Sequence, residues 1–139
     1  MRVYTRIMNT KCYCISLRKA ERKLTSVYDD ALKPVGVNVA QFSLLRTIER
    51  EGPVSLSKIG RLVDLDRSTV GRNIKVLERM GVVKTIHGDD QREAVVELTV
   101  RGRSILNEGA PLWDEAQRLV EKKLGAAGAK QLRTLLQTL

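Results

Sequence analysis

The spacing of hydrophobic residues predicts a mainly helical chain. Leu17, Leu24, Tyr28 and Ala31 recur at helical intervals, and they predict a first helix over about residues 10–32. Pro34 and Gly36 follow this stretch and are expected to end it. The same reasoning predicts further helices over residues 40–50, 56–63, 67–80 and 100–124, and a last one from Gly125 to about Gln137.

A short β-hairpin is predicted between the fourth and fifth helices. A β-branched run over residues 82–87 and the alternating residues 94–98 read as two strands joined by the polar loop 88–91. The predicted fold class is therefore mainly α with a small β-hairpin.

The helix over residues 67–80 is expected to have two different faces. Asp66 is suited to cap its first turn, and Val70, Ile74 and Leu77 form one apolar stripe. Residues away from that stripe are basic or carry hydroxyl groups, namely Arg67, Ser68, Thr69, Arg72 and Lys75. Such side chains can contact base edges and phosphates, although a solvated basic face would look the same.

A helix, a turn, a second helix and then a hairpin is the order of a winged helix-turn-helix DNA reader. In such a module the second helix enters the major groove, which is about 12 Å wide and admits a helix. The helix over 56–63 is expected to support it through Ile59 and Leu62. Double-stranded DNA is therefore the predicted partner.

Charge and composition agree with this interpretation. The chain has 139 residues, a net charge of +9 and a pI of about 9.9, so it should attract polyanions. Its 42% hydrophobic and 29% charged residues are typical of a folded domain rather than a disordered chain. No apolar run approaches the roughly 18 residues of a membrane span, and no secretory signal is evident. A cytoplasmic protein that does not enter a membrane is expected.

Two stretches of the chain carry a family resemblance, SLSKIGRLVDLDRSTVGRNIKVLERMGVVK and DDQREAVVELTVRG. The first resembles the helix-turn-helix, and the second the wing, of the MarR family of transcriptional regulators. The wing pattern falls on Asp90, Arg92, Leu98, Thr99 and Gly102. The resemblance implies a single domain that forms a homodimer. It implies dimerisation helices over about 10–36 and 100–139, with a DNA-binding region over about 37–99.

The resemblance also implies a repressor, or less often an activator, at a pseudo-palindromic operator. It implies that Arg92 enters the minor groove, where a narrow groove has the negative potential that suits an arginine. An alternative is that Arg92 pairs with Asp90 and only shapes the wing. Gln91 departs from the arginine that the family often has at this place.

Two triggers could release such a regulator from DNA. The resemblance implies a cavity for a small, often aromatic, effector, for which Tyr28, Phe42 and Trp113 are candidates by position; ordinary core residues would look the same. Cys12 and Cys14 are candidates for thiol oxidation, because nearby positive charge and a helix start favour the thiolate. Cys12 is expected to be the more reactive and Cys14 the more buried, although both could be inert packing residues.

An enzyme is not expected from this sequence. Its single histidine, His87, lies in or beside a predicted strand, and one histidine with two cysteines falls short of a structural zinc site. No cofactor or metal is predicted. The sequence therefore predicts a dimeric, sequence-specific regulator, and a sequence-tolerant protein that coats DNA is the alternative.

Overall fold

The computed structural model describes residues 12–87 and 94–139, and it confirms the mainly α class with a small β-sheet wing. The first five elements are α1 (Tyr13–Leu32), a 3-10 turn (Lys33–Val35), α2 (Val39–Glu51), β1 (Val54–Ser55) and α3 (Leu56–Val63). They are followed by α4 (Arg67–Arg79), β2 (Val83–His87), β3 (Ala94–Leu98) and α5 (Val100–Gln137).

The sheet has a strand that the hydrophobic pattern did not predict. β1 pairs antiparallel with β3, so that Val54 lies opposite Val96, and the strand order is β1-β3-β2. Both of these valines are buried. Two residues are too few to show the alternation that identifies a strand, so β1 could not be recognised from sequence.

The chain divides into two compact units. The winged-helix unit is Leu32–Leu112, and the terminal-helix unit consists of the stretch that ends at Ala31 together with Trp113–Leu139. The start of α5 packs within the winged-helix unit, where Gly102, Ile105 and Leu106 are buried. The functional boundaries near residues 36 and 100 that the resemblance implies stay a prediction.

An aliphatic core holds the winged-helix unit together, and side-chain caps begin its helices. Asn38 accepts a hydrogen bond from the Gln41 amide, and the Gln41 side chain accepts one from the Asn38 amide, which completes a capping box for α2. Ser55 caps α3, because its hydroxyl oxygen accepts a hydrogen bond from the Lys58 amide. The residues with almost no exposed surface are Leu32, Phe42, Leu45, Ile48, Ile59, Val70, Leu77, Val82 and Val96.

The junction between β3 and α5 explains a large part of the Leu-Thr…Gly pattern. Thr99 caps α5, because its Oγ1 accepts from the Gly102 amide at 3.1 Å and also donates to the Gly81 carbonyl at 2.7 Å. A Cβ atom on Gly102 would lie only 2.1 Å from the Val82 carbonyl oxygen. Only glycine therefore lets the start of α5 approach the backbone before β2.

In the terminal-helix unit, α5 departs from helical geometry at Gly125, where φ is 74° and ψ is 163°. This is the position at which the sequence predicted a separation into two helices. The ion pair between Glu121 and Arg133, at 2.6 Å, joins the two parts. Pro111 lies inside α5, and the backbone remains helical there. None of the helices in residues 12–87 and 94–139 contains an apolar stretch of the length that a membrane span requires.

Candidate nucleic-acid interface

Helix α4 has the two faces that its sequence predicts. Val70, Ile74 and Leu77 are at most 2% exposed, so this stripe holds the helix on the core. The other candidates lie away from the stripe: Arg67, Ser68, Arg72 and Lys75 are exposed, and Thr69 is half-buried. The structure therefore gathers the predicted contact residues of α4 on the solvent side of one helix.

The first turn of α4 is organised by Asp66. Its Oδ1 accepts from the Thr69 amide at 2.7 Å, which is the predicted cap, and from the Ser68 hydroxyl at 3.0 Å. One nitrogen of the Arg72 guanidinium, Nη2, donates to the Thr69 hydroxyl oxygen at 3.1 Å. These bonds give the side chains at the start of α4 defined directions before any partner binds.

The Asp66 carboxyl has a pKa below its usual range. The largest cause is the hydrogen bond from the Thr69 amide, followed by the hydroxyls of Thr69 and Ser68; the positive charge of Arg72 contributes less. Each of these groups favours the charged form. Asp66 is therefore an ionised carboxylate at neutral pH, and it acts only as an acceptor.

Arg79 also lies on the exposed face of α4, although it is not among the contact residues predicted from the sequence. It is exposed and lies seven residues after Arg72, a spacing that returns to nearly the same side of a helix. Its Nε donates to the Lys75 carbonyl at 3.4 Å. Helical spacing from Arg72 is the signal that could have identified it.

The helix before α4 supports it differently from the prediction. Ile59 is fully buried, as expected, but Leu62 is 44% exposed and is not a core residue. Asp64 ends α3 in the left-handed conformation, with φ 55°. The covered face of α3 includes Ile59, Gly60 and Val63, and helical geometry places Leu62 to one side of it.

The wing is tied to α4 by a side-chain contact. Thr85 on β2 donates a hydrogen bond to the Glu78 carboxylate near the end of α4. Lys84 and Glu97 form an ion pair at 3.0 Å between the two long strands. The tip of the wing, residues 88–93, lies outside the described residues, and so do the predicted roles of Asp90 and Arg92.

The candidate thiols are both exposed. In the single chain neither thiol is buried, and the expectation that Cys14 is the more buried of the two stays a prediction. Cys14 lies in the first turn of α1 and is exposed there among the described residues. Cys12 precedes α1, and its carbonyl accepts from the Ser16 amide at 3.0 Å.

The three aromatic candidates divide between the two units. In the terminal-helix unit, the rings of Tyr28 and Trp113 lie 6.0 Å apart between centroids. The Tyr28 hydroxyl donates to Gln117, and burial, then the charge of Glu121, raises the pKa of Tyr28. Phe42 is 1% exposed within the winged-helix unit, where the Arg46 guanidinium lies 5.0 Å from its ring centre.

An apolar groove runs along the terminal-helix unit. Its volume is about 840 Å³. Leu24, Leu119 and Leu136 are 36–55% exposed in it, and Lys23 and Lys123 lie at its sides.

Within the described residues, no group of three or more His, Cys, Asp or Glu side chains could hold a metal ion.

Comparisons with known proteins point to one family. A model of the MarR family matches residues 37–94. The transcriptional regulator MosR of M. tuberculosis, solved in complex with DNA, is 33% identical; the match covers 92% of this chain and 96% of MosR, with a TM-score of 0.80. The chain belongs to the MarR family.

Further relatives agree with this MarR assignment. The HTH-type transcriptional regulator SarZ of Staphylococcus epidermidis is 28% identical over 124 residues, which cover 81% of this chain and 84% of SarZ. A mutant MarR from E. coli, complexed with operator DNA, shares the fold with a TM-score of 0.86 at 21% identity, covering 94% of this chain and 96% of that one. This MarR-family chain is a DNA-binding transcriptional regulator and not an enzyme.

Proposed function

We propose that this regulator works as a homodimer that represses transcription from a pseudo-palindromic operator. Each copy places α4 in the major groove, where Arg67, Ser68, Thr69, Arg72 and Lys75 contact DNA. This proposal rests on one observation, that the two opposite faces of α4 have different properties. One face is fixed to the core, and the other presents exposed guanidinium, ammonium and hydroxyl groups.

Arg92 at the wing tip is proposed as a minor-groove contact. This proposal is supported by the pairing of β2 with β3, in which Val83 lies opposite Leu98 at one end and His87 lies opposite Ala94 at the other. β2 therefore ends and β3 begins at the end of the paired strands that lies away from Thr99. A basic side chain carried there suits the negative potential of a narrow minor groove.

A second copy of the chain is the proposed cover for the apolar groove. Leu17, Leu24, Leu119, Leu135 and Leu136 are 36–62% exposed, which places many leucine side chains in water on one unit. Exposed apolar surface of this extent marks an interaction site. Two copies related by a two-fold axis would then read equivalent half-sites about 10 base pairs apart on one face of the DNA.

The experiment that tests this function is selection of bound fragments from genomic DNA by the purified chain. A sequence-specific dimer enriches a few fragments that share an inverted repeat with half-sites about one helical turn apart. A DNA-coating protein enriches very many fragments with no shared motif. That result would replace the operator proposal with the architectural one.

Release from DNA is proposed to follow thiol oxidation or the binding of a small aromatic ligand. The exposure of Cys12 and Cys14 supports the first, because an oxidant can reach both sulfur atoms. The half-buried Tyr28 and Trp113 support the second, since a ring pair can accept a third ring. Phe42, from the winged-helix unit, is the third aromatic candidate.

The two triggers can be distinguished by measuring operator binding of wild type, Cys12→Ser and Cys14→Ser. Each protein is measured before treatment, after peroxide, and again after a thiol reductant. The redox trigger predicts that oxidised wild type loses affinity, that reductant restores it, and that one serine variant resists oxidation. Unchanged binding after the thiols are consumed would leave the ligand as the trigger.

A further inference from the structure

The hydroxyl group of Ser68 is held in a way that limits how it can contact DNA. A serine hydroxyl has one hydrogen to donate and two lone pairs that accept. The Ser68 hydrogen is directed at Asp66 Oδ1, 3.0 Å away. Toward solvent, Ser68 therefore presents lone pairs and acts as an acceptor.

The direction of this hydrogen bond is fixed because the Asp66 carboxyl is ionised. The same Oδ1 accepts the Thr69 amide at 2.7 Å, and the pKa of Asp66 is lowered, first by that bond and then by the two hydroxyls. An ionised carboxylate has no hydrogen to return to Ser68. The bond therefore runs only from Ser68 to Asp66.

We propose that Asp66 is a positioning residue that makes Ser68 select adenine or cytosine over guanine or thymine on the strand it contacts. The proposal rests on the placement of α4 in the major groove proposed above. In that groove adenine and cytosine present amino groups, whereas guanine and thymine present carbonyl oxygens at the corresponding positions. An acceptor-only oxygen pairs with an amino group and is repelled by a carbonyl oxygen. Phosphate oxygens are excluded as partners for the same reason.

Arg72 extends this inference to the neighbouring bases. Its bond to Thr69 uses one of the five N–H donors of a guanidinium, so donors remain for a guanine. Ser68 and Arg72 are one helical turn apart, about 5–6 Å between Cβ atoms, and base pairs are spaced by roughly 3.4 Å. The selected adenine or cytosine should therefore lie within about two base pairs of the guanine that Arg72 reads.

The test is selection of operators from random duplex DNA by four proteins. Ser68→Ala locates the base that Ser68 contacts, because only the preference at that position should change. Asp66→Ser keeps a good helix cap but removes the carboxylate that holds the Ser68 hydrogen. Asp66→Asn is the conservative control, because its amide oxygen can accept both bonds that Oδ1 now accepts.

Wild type should prefer adenine or cytosine at that position by roughly two- to tenfold, the range of one net hydrogen bond. Asp66→Ser and Ser68→Ala should lose this preference while keeping the guanine opposite Arg72, and Asp66→Asn should keep both. Circular dichroism confirms that each variant is folded, and Ser68→Ala tests the base preference without altering the cap.

Failure of this proposal can be told apart from failure of the proposed function. A wild type that enriches no motif removes the operator itself. A wild type that enriches an inverted repeat leaves the function intact. In that case, three results would each overturn the role of Asp66 alone. The wild type could select guanine or thymine at the position that Ser68 contacts, or Ser68→Ala could change the preference at no position. The third result is that the preference for adenine or cytosine survives Asp66→Ser.

Discussion

At the residue scale, Arg72 and Lys75 are neighbours on α4 with different expected roles. Arg72→Ala should cost roughly 1–3 kcal/mol of operator binding, because a guanidinium can bind a guanine edge through two hydrogen bonds. Lys75→Ala should weaken binding to all sequences alike and reduce the salt slope by about one, as expected for a lost phosphate contact. Fluorescence anisotropy over a salt series measures both. Equal operator affinities for Arg72→Ala and wild type at matched salt would contradict the first assignment.

Gly102 is the residue whose substitution should damage folding rather than DNA binding. A Cβ there would lie 2.1 Å from the Val82 carbonyl oxygen. Gly102→Ala should therefore cost about 1–3 kcal/mol or more of unfolding free energy, since a rigid backbone atom must move. Urea unfolding measures this cost.

Gly71→Ala is the matched control for Gly102→Ala. Gly71 also lies inside a helix, but no heavy atom stands within 4 Å of the added Cβ. It should leave stability unchanged or raise it by up to about 1 kcal/mol through helix propensity. Equal unfolding midpoints for Gly102→Ala and wild type would show that the backbone at the junction between β3 and α5 can move to accommodate the added methyl group.

At the element scale, the bond between Thr85 and Glu78 joins the wing to the end of α4. Thr85→Val removes the hydroxyl with little change in shape, so the two elements lose one constraint on their relative orientation. Operator affinity should fall by up to roughly tenfold, with only a small change in stability because both residues are partly exposed.

Glu97→Gln serves as the control for Thr85→Val. It breaks the Lys84–Glu97 ion pair on the same sheet without removing a positive charge that DNA could attract. Ion pairs that solvent reaches, as it reaches the 60% exposed Lys84 side chain, contribute little, about 0–1 kcal/mol. If both variants bind the operator like wild type, the contact between Thr85 and Glu78 does not position the wing.

At the scale of the whole molecule, the apolar groove predicts a dimer. Leu119 is 55% exposed in the groove, and Leu119→Glu should place a charge in the interface and produce monomers. Val100→Glu is the control, because Val100 is 76% exposed but belongs to the winged-helix unit. Sedimentation velocity at micromolar concentration measures both. A wild-type monomer that still binds its operator tightly would contradict the homodimer.

The sequence by itself determined the helices, the paired strands of the wing and the face of α4 that meets solvent. These depend on local periodicity and on caps such as Ser55, Asp66 and Thr99, which act within a few residues of chain. The resemblance in the helix-turn-helix and wing then identified the family. The side chains of α4 proposed to contact DNA could be selected in this way because helical geometry assigns each residue a direction.

Tertiary structure decided what local pattern could not express. β1 exists because β3 lies beside it, and Leu62 is exposed because the core covers the neighbouring face of α3 that carries Ile59 and Val63. The exposure of Cys14 depends on which other segments reach α1. The bonds from Ser68 to Asp66 and from Arg72 to Thr69 likewise depend on rotamers chosen among several staggered positions. Sequence spacing brings these groups within reach of one another, and only the folded helix start selects which of them bond.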